Sequence, residues 1–194
     1  MKKLLIATLV AAAFGVAHAD EGNYVSPGID FKDKQNSTNN HTVYGVTLGH
    51  DFGNTWRVEG RMEDETVNGG SHEGLAQVEL FKDIGTWYGV TPYAGAGVGL
   101  KDKATSEFWY YRVDGGLKYT NALVPGATLF INERLRTPFN EGTDAQTGYN
   151  YRTYETKFGV NYSINKQNAV GISYAIERGD TEYNTVGVNY KYSF

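Results

Sequence analysis

The chain has no cysteine, so it can form neither a disulfide framework nor a thiolate metal site. Proline is scarce, at 4 residues. Lys and Arg total 18 against 22 Asp and Glu, with no basic cluster, which argues against a nucleic-acid partner. Beyond the first twenty residues no apolar run is long enough for a membrane-crossing helix. No linker or low-complexity tract divides the chain, and a single domain is expected.

What is present begins with "MKKLLIATLVAAAFGVAHAD". Lys2 and Lys3 precede an apolar run from Leu4 to Val16 and then Ala17-His18-Ala19. A basic start, an apolar middle and an A-x-A site make a secretory signal peptide. Residues 1–19 are therefore expected to be removed, leaving 20–194 as the mature domain. Without the two lysines, 16 basic face 22 acidic residues, a net charge of −6.

Glycine, at 24, and tyrosine, at 15, are abundant, and the mature chain alternates. In "NTWRVEGRMEDET" Arg57, Glu59, Arg61 and Glu63 occupy every second position between Trp56, Val58, Gly60 and Met62. A period of two is that of a strand, so the charges share one face. Ten such segments can be read, at 23–33, 41–52, 55–65, 74–82, 89–101, 107–120, 126–137, 149–163, 167–178 and 182–194, with the fourth the weakest. One face is apolar almost throughout, as in Val186, Val188, Tyr190, Tyr192 and Phe194. The other is polar or small, as in Gly187, Asn189, Lys191 and Ser193.

Short turns such as "DFGNT" and "INKQN" alternate with longer polar stretches such as "ETVNGGSHEG" and "TPFNEGTDAQTGYN". That spacing, the export signal and the terminal Phe194 fit an all-β, antiparallel, up-and-down transmembrane barrel of about ten strands, with eight or twelve as neighbouring counts. A secreted β-sandwich is the rival, since it would bury the same apolar faces against each other. Aromatics crowding the strand ends, including Trp56, Trp87, Tyr88, Tyr190, Tyr192 and Phe194, favour the membrane girdle.

In alternation, segments and closing aromatic, the whole mature chain resembles the bacterial outer-membrane β-barrel proteins, and in kind the small porin-like ones. The ending "NYKYSF" is similar to that of the oligogalacturonate porins, which are longer. The resemblance implies a Gram-negative outer-membrane location, outer-membrane lipid and lipopolysaccharide as surroundings, and recognition of the last strand by the barrel-assembly machinery. A monomer is expected.

By parity the lumen should carry Arg57, Glu59, Arg61, Glu63, Glu79, Arg112, Asp114, Arg134, Arg136, Glu155 and Lys157. Asp30, Lys118, Glu177 and Lys191 share that parity. Trp56, Trp109, Tyr190, Tyr192 and Phe194 should face lipid or form the girdle. The near-balance of signs allows two readings. Either the charges pair into a network that plugs the barrel, or they line a narrow pore whose selectivity they set. Arg57, Arg61, Arg112, Arg134 and Arg136 are the candidate constriction of a channel for small polar or ionic solutes. The alternative is a closed barrel whose outer loops, 33–41 and 138–150, bind a partner or lipopolysaccharide.

"YAGAGVGLK" is no phosphate loop, because Gly95, Gly97 and Gly99 lie two apart and no Gly-Lys-Ser/Thr follows. Their missing side chains leave room for residues of the opposite wall, or an open slot. No nucleophile–base–orienter set can be assembled around His41, His50 or His72, so no enzyme, cofactor or metal site is expected. Glu133 falls on the lipid face under strict alternation, and either a bulge or a place above the membrane would relieve it. Arg152 shares that parity but belongs at the rim.

Overall fold

In the computed structural model, residues 22–34, 40–53, 55–67, 72–103, 107–120, 123–139, 152–179 and 182–194 are described. The expected signal peptide, Ser71 and most of loop 138–150 lie outside them.

The ten alternating segments form ten strands. They are β1 Asn23–Lys34, β2 Asn40–Asp51, β3 Trp56–Val67, β4 His72–Asp83, β5 Val90–Asp102, β6 Glu107–Thr120, β7 Ala127–Pro138, β8 Thr153–Ser163, β9 Asn168–Gly179 and β10 Tyr183–Ser193. Each pairs antiparallel with its neighbours in sequence, and β1 pairs with β10 to close the barrel. Closure leaves no edge, which lipid requires because it cannot solvate a free N–H or C=O. At the closing seam the pairing of Tyr24 with Ser193 and Val25 with Tyr192 resumes only at Gly28–Asn189. Pro27, which has no N–H to give, lies in the gap. The segment read as weakest is a full strand of 12 residues.

Loop asymmetry is smaller than expected. Only 139–152 is a long connection. In "ETVNGGSHEG" the strands absorb most of the polar residues, since Glu65 pairs with Glu73 and Thr66 with His72. A ladder that continues past the apolar band satisfies those backbone groups better than loose loop would. The end carrying Asn23 and Ser193 is called here the terminal end, and the end carrying 139–152 the loop end. Turns at the terminal end use the left-handed region, with φ 72° at Gly53 and 88° at Gly126. A Cβ at Gly126 would also lie 2.8 Å from the Ser163 carbonyl oxygen.

The burial is inverted relative to a water-soluble sheet protein. Arg112, Asp114, Glu79, Gln77 and Asn132 are buried. Phe31, Tyr44, Val113, Leu117, Ile131, Phe158, Ile172 and Val188 are exposed on the outer wall. A β-sandwich would bury the second set. An exposed apolar band this continuous marks a membrane surface. No helix among the described residues is long and apolar enough to cross a membrane, and the strands take that role.

The glycines of "YAGAGVGLK" face inward and are filled, not open. A Cβ at Gly95 would lie 2.4 Å from the Phe81 ring, and one at Gly99 2.4 Å from the Tyr110 ring and hydroxyl. At Gly97 it would meet the Val78 carbonyl oxygen at 2.4 Å and Glu79 at 2.7 Å. The occupants come from the adjacent strands β4 and β6, not from the opposite wall.

Glu133 is not relieved by a bulge. Pairing runs unbroken along β6–β7 and β7–β8, setting Glu133 opposite Gly115 and Thr156. It points outward and is exposed, in the middle of β7 between Ile131 and Leu135. Thr156 Oγ1 donates to its Oε2 at 2.9 Å. Arg152 lies exposed at the rim, one residue before β8.

Candidate functional site: the charged lumen

Every charge assigned to the lumen by parity points inward, because none of the ten strands loses its alternation. What alternation leaves open is which charge meets which. Three pairs are built within one strand at spacing two. Arg57 Nε lies 2.9 Å from Glu59 Oε1, and Arg61 Nε 2.5 Å from Glu63 Oε1. Arg112 donates to both oxygens of Asp114, from Nε at 2.8 Å and Nη2 at 2.9 Å.

Other pairs cross strands. Arg134 gives Nε to Asp114 at 3.0 Å and Nη1 to Glu155 at 2.7 Å. Asn132 adds a third donor to Asp114, at 3.0 Å. Arg112 also pairs with Glu79. Arg61 Nη2 reaches Asp30 at 3.1 Å. Arg112, Arg134 and Arg136 therefore form no continuous positive track. Arg112 does face Arg136 across the β6–β7 ladder, but Asp114 sits between Arg112 and Arg134, and Glu155 lies beyond Arg134. Two guanidiniums on neighbouring strands need a carboxylate between them to be buried.

Arg136 takes a different partner, the ring of Tyr110, with its guanidinium carbon 5.0 Å from the centroid. Lys191 lies over Tyr24, 3.6 Å from the centroid, and Arg57 over Phe81 at 4.8 Å. Such contacts stabilise a cation without neutralising it. Lys157 makes no ion pair within 4.0 Å among the described residues.

Space in the lumen is divided. A cavity of about 430 Å³ reaches strand ends at the terminal end, from Tyr24 and Lys191 to Ser163 and Ala169. A pocket of about 30 Å³ lies toward the loop end, among Lys32, Glu63, Lys101, Arg136 and Glu177. Asp30, Arg61, Arg134 and Lys157 line both and form the collar between them. Of the five arginines proposed as a constriction, Arg61 and Arg134 belong to this collar. Arg57 lies below it, Arg136 above it, and Arg112 is sealed in the wall at 1% exposure.

Above the collar a second cluster surrounds Glu65. His41 Nδ1 lies 2.7 Å from its Oε1 and Lys32 Nζ 3.3 Å from its Oε2, with Lys101 Nζ at 3.6 Å. His41 is thus buried in β2 rather than out in a loop, with its ring edge-on to Tyr183. This site escaped the sequence reading, although the inward parity of Lys32, His41 and Glu65 was there to find it. His72 is exposed at the loop end, 3.4 Å from Asp64, and His50 accompanies Asn23 and Phe52 near the terminal end. No group of three or more His, Asp or Glu able to hold a metal occurs among the described residues.

The aromatics assigned to the girdle lie toward the strand ends. Trp56, near the terminal end, is half-exposed beneath Lys82, whose Nζ is 4.7 Å from the ring. Tyr190 donates to Asn168, Tyr192 stacks on Phe194, and the Phe194 N–H donates to the Asn23 carbonyl at 2.9 Å. Trp109 marks the loop end, packed against Leu100.

A closed antiparallel barrel, polar within and apolar without, is an integral outer-membrane β-barrel. The chain belongs to the family described as outer membrane protein beta-barrel domain, which matches residues 4–194. The β domain of the Bordetella autotransporter BrkA superposes with a TM-score of 0.58 at 11% identity, covering 89% of this chain and 99% of that one. The KdgM porin gives 0.48 at 10% identity, with 87% and 99% covered. The Neisserial surface protein A gives 0.45 at 9% identity, with 89% and 96% covered. No curated protein matches in sequence. The location is the outer membrane.

Proposed function

We infer that this barrel is a narrow channel preferring small anions. The observation that carries the reading is the charge of the large cavity. Seven cationic side chains line it against four carboxylates, in a chain whose own net charge is −4. Lys157 and Lys191 supply much of the surplus, since neither is matched by a carboxylate within 4.0 Å among the described residues. A low-dielectric wall around a cationic surplus concentrates anions and repels cations. The collar of Asp30, Arg61, Arg134 and Lys157 is the selective ring. The pocket beyond it has room for only a few waters at most, on the order of 30 Å³ each. Passage is therefore restricted to small, partly dehydrated ions.

A closed barrel is the second reading, and one observation favours it. Tyr110, Arg112 and Gln77 are at most 2% exposed and tie the wall together at this level. Tyr110 Oη donates to Gln77 Oε1 at 2.8 Å, and Gln77 Nε2 to Glu79 Oε2 at 3.1 Å.

Planar-bilayer recording of the refolded mature protein separates the two. Small discrete steps, with a reversal potential displaced toward the anion potential in a salt gradient, are expected. Lys157→Glu should move that potential toward cations, and Arg134→Ser with Arg136→Ser should weaken anion preference. A silent bilayer, with insertion shown by heat-modifiable gel mobility, sinks the channel and leaves the closed barrel.

A further inference from the structure

Among the described residues, Lys157 is the one charge of the collar without an ion pair. Arg61 meets Glu63 through Nε and Asp30 through Nη2, and Arg134 meets Asp114 through Nε and Glu155 through Nη1. The ladder neighbours of Lys157 are Asn132 and Ala175. Asn132 is already engaged, since its amide oxygen accepts from Tyr93 and its amide nitrogen donates to Asp114. Ala175 has no polar side chain. An ammonium carries three donors, and in a confined space an unanswered charge is unfavourable.

The surroundings of Lys157 are cationic on balance. The charges that act most strongly on it are Arg61, Asp30, Glu155 and Arg134, so the throat holds three cations, its own included, against two carboxylates. The loop-end pocket shows the same excess as the large cavity, with six cations against four carboxylates. The two arginines stay open to the lumen, with side chains 22% and 12% exposed. Their ion pairs leave Arg61 Nη1 and Arg134 Nη2 unused. Glycines keep the centre of the collar clear. Arg61 Nη2 lies 3.8 Å from where a Cβ of Gly45 would stand, and Asp30 Oδ1 2.2 Å from that of Gly187, so this pair lies back against the wall.

We propose that the collar is a binding site for a soluble tetrahedral oxyanion of the sulfate or phosphate class, held by Lys157 Nζ together with Arg61 Nη1 and Arg134 Nη2. Three cations repel one another and are held apart by their carboxylates, so a halide would have to draw all three onto one atom. A polyatomic anion spreads its charge over several acceptor oxygens and can meet each donor separately, which is how guanidinium and ammonium groups take phosphate. The closed sheet keeps lipid headgroups out. The large cavity, which reaches the strand ends, is the way in. The proposal names the anion class of the channel reading and rests on that reading for the anion's passage, though not for its binding.

Inorganic sulfate is the probe. The urea midpoint of the refolded mature barrel in phosphatidylcholine vesicles is followed by tryptophan fluorescence while sulfate replaces chloride at constant ionic strength. Binding to the folded state should raise the midpoint along a saturating curve, whereas the general exclusion of sulfate from protein surfaces grows without saturating. Lys157→Met removes no ion pair among the described residues. It should weaken the saturating part about tenfold, the scale of one hydrogen bond to a charged group, and Lys157→Arg should keep it. In the planar bilayer sulfate should block the chloride current of the native barrel and not that of Lys157→Met. A native midpoint without a saturating rise, or the same rise in Lys157→Met, overturns the proposal even where chloride steps are seen. A saturating rise that depends on Lys157, found together with a silent bilayer, keeps the site and removes the channel.

Discussion

Asp114→Ala should lower the stability of the barrel by about 3–5 kcal/mol, the typical cost of removing one member of a buried ionic group. Asp114 is the hub of the lumen wall. It receives two hydrogen bonds from Arg112, one from Arg134 and one from Asn132. Its side chain and that of Arg112 are each 1% exposed, so water cannot take over when the carboxylate is lost. Two guanidiniums would then crowd together with only Glu79 and Glu155 to hold them. Asp114→Asn keeps the size and part of the hydrogen bonding and should cost less. By contrast Asp64→Ala, at an exposed pair with His72, should change stability by less than about 0.5 kcal/mol. Urea unfolding of the three variants in lipid vesicles, followed by tryptophan fluorescence, gives the comparison. Equal midpoints for Asp114→Ala and Asp64→Ala would mean that the network is wetter than its burial shows.

Gly116→Val should be as damaging for a steric reason. A Cβ there would lie 2.4 Å from the Ile131 carbonyl oxygen and 2.6 Å from the Tyr93 ring and hydroxyl. The first contact is with backbone and cannot rotate away. The second would lift Tyr93 from Asn132, which it meets at 3.0 Å. Overpacking of this kind costs about 1–3 kcal/mol or more, and here it also leaves a buried polar group unpaired. Gly115→Val, one residue away on the outer wall, meets nothing and should fold as the native chain does. Refolding yield by heat-modifiable mobility reads both. A Gly116→Val barrel as stable as the Gly115→Val one would refute the packing described for Tyr93.

The alternation carried most of the architecture before any coordinates. Ten strands, their order and the inward or outward direction of each charge follow from a period of two and from the need to close the sheet in lipid. Arg112–Asp114 was legible too, since residues two apart on one strand share a face. Arg61–Asp30 was not, because it depends on the stagger between strands 31 residues apart, and stagger leaves no mark on parity. The loop-end limits of β3 and β4 were read two residues short for the same kind of reason. Thr66 and His72 look like loop residues singly and become strand residues because each gives the other's backbone a partner. The fillers of Gly95 and Gly99 were misplaced to the opposite wall because sequence shows a missing side chain but not the direction from which it is replaced.

The seam between β1 and β10 places Asn23 within one hydrogen bond of Phe194. In a ring whose other ladders all join neighbours in sequence, the point at which the chain starts is then almost arbitrary. A short bridge joining the two ends, with a cut opened near Gly53, would move the start of the polypeptide by one hairpin and leave every ladder in place. The order of synthesis would change while the wall stayed the same, so such a permuted barrel separates what the fold requires from what the cell's export and insertion route requires.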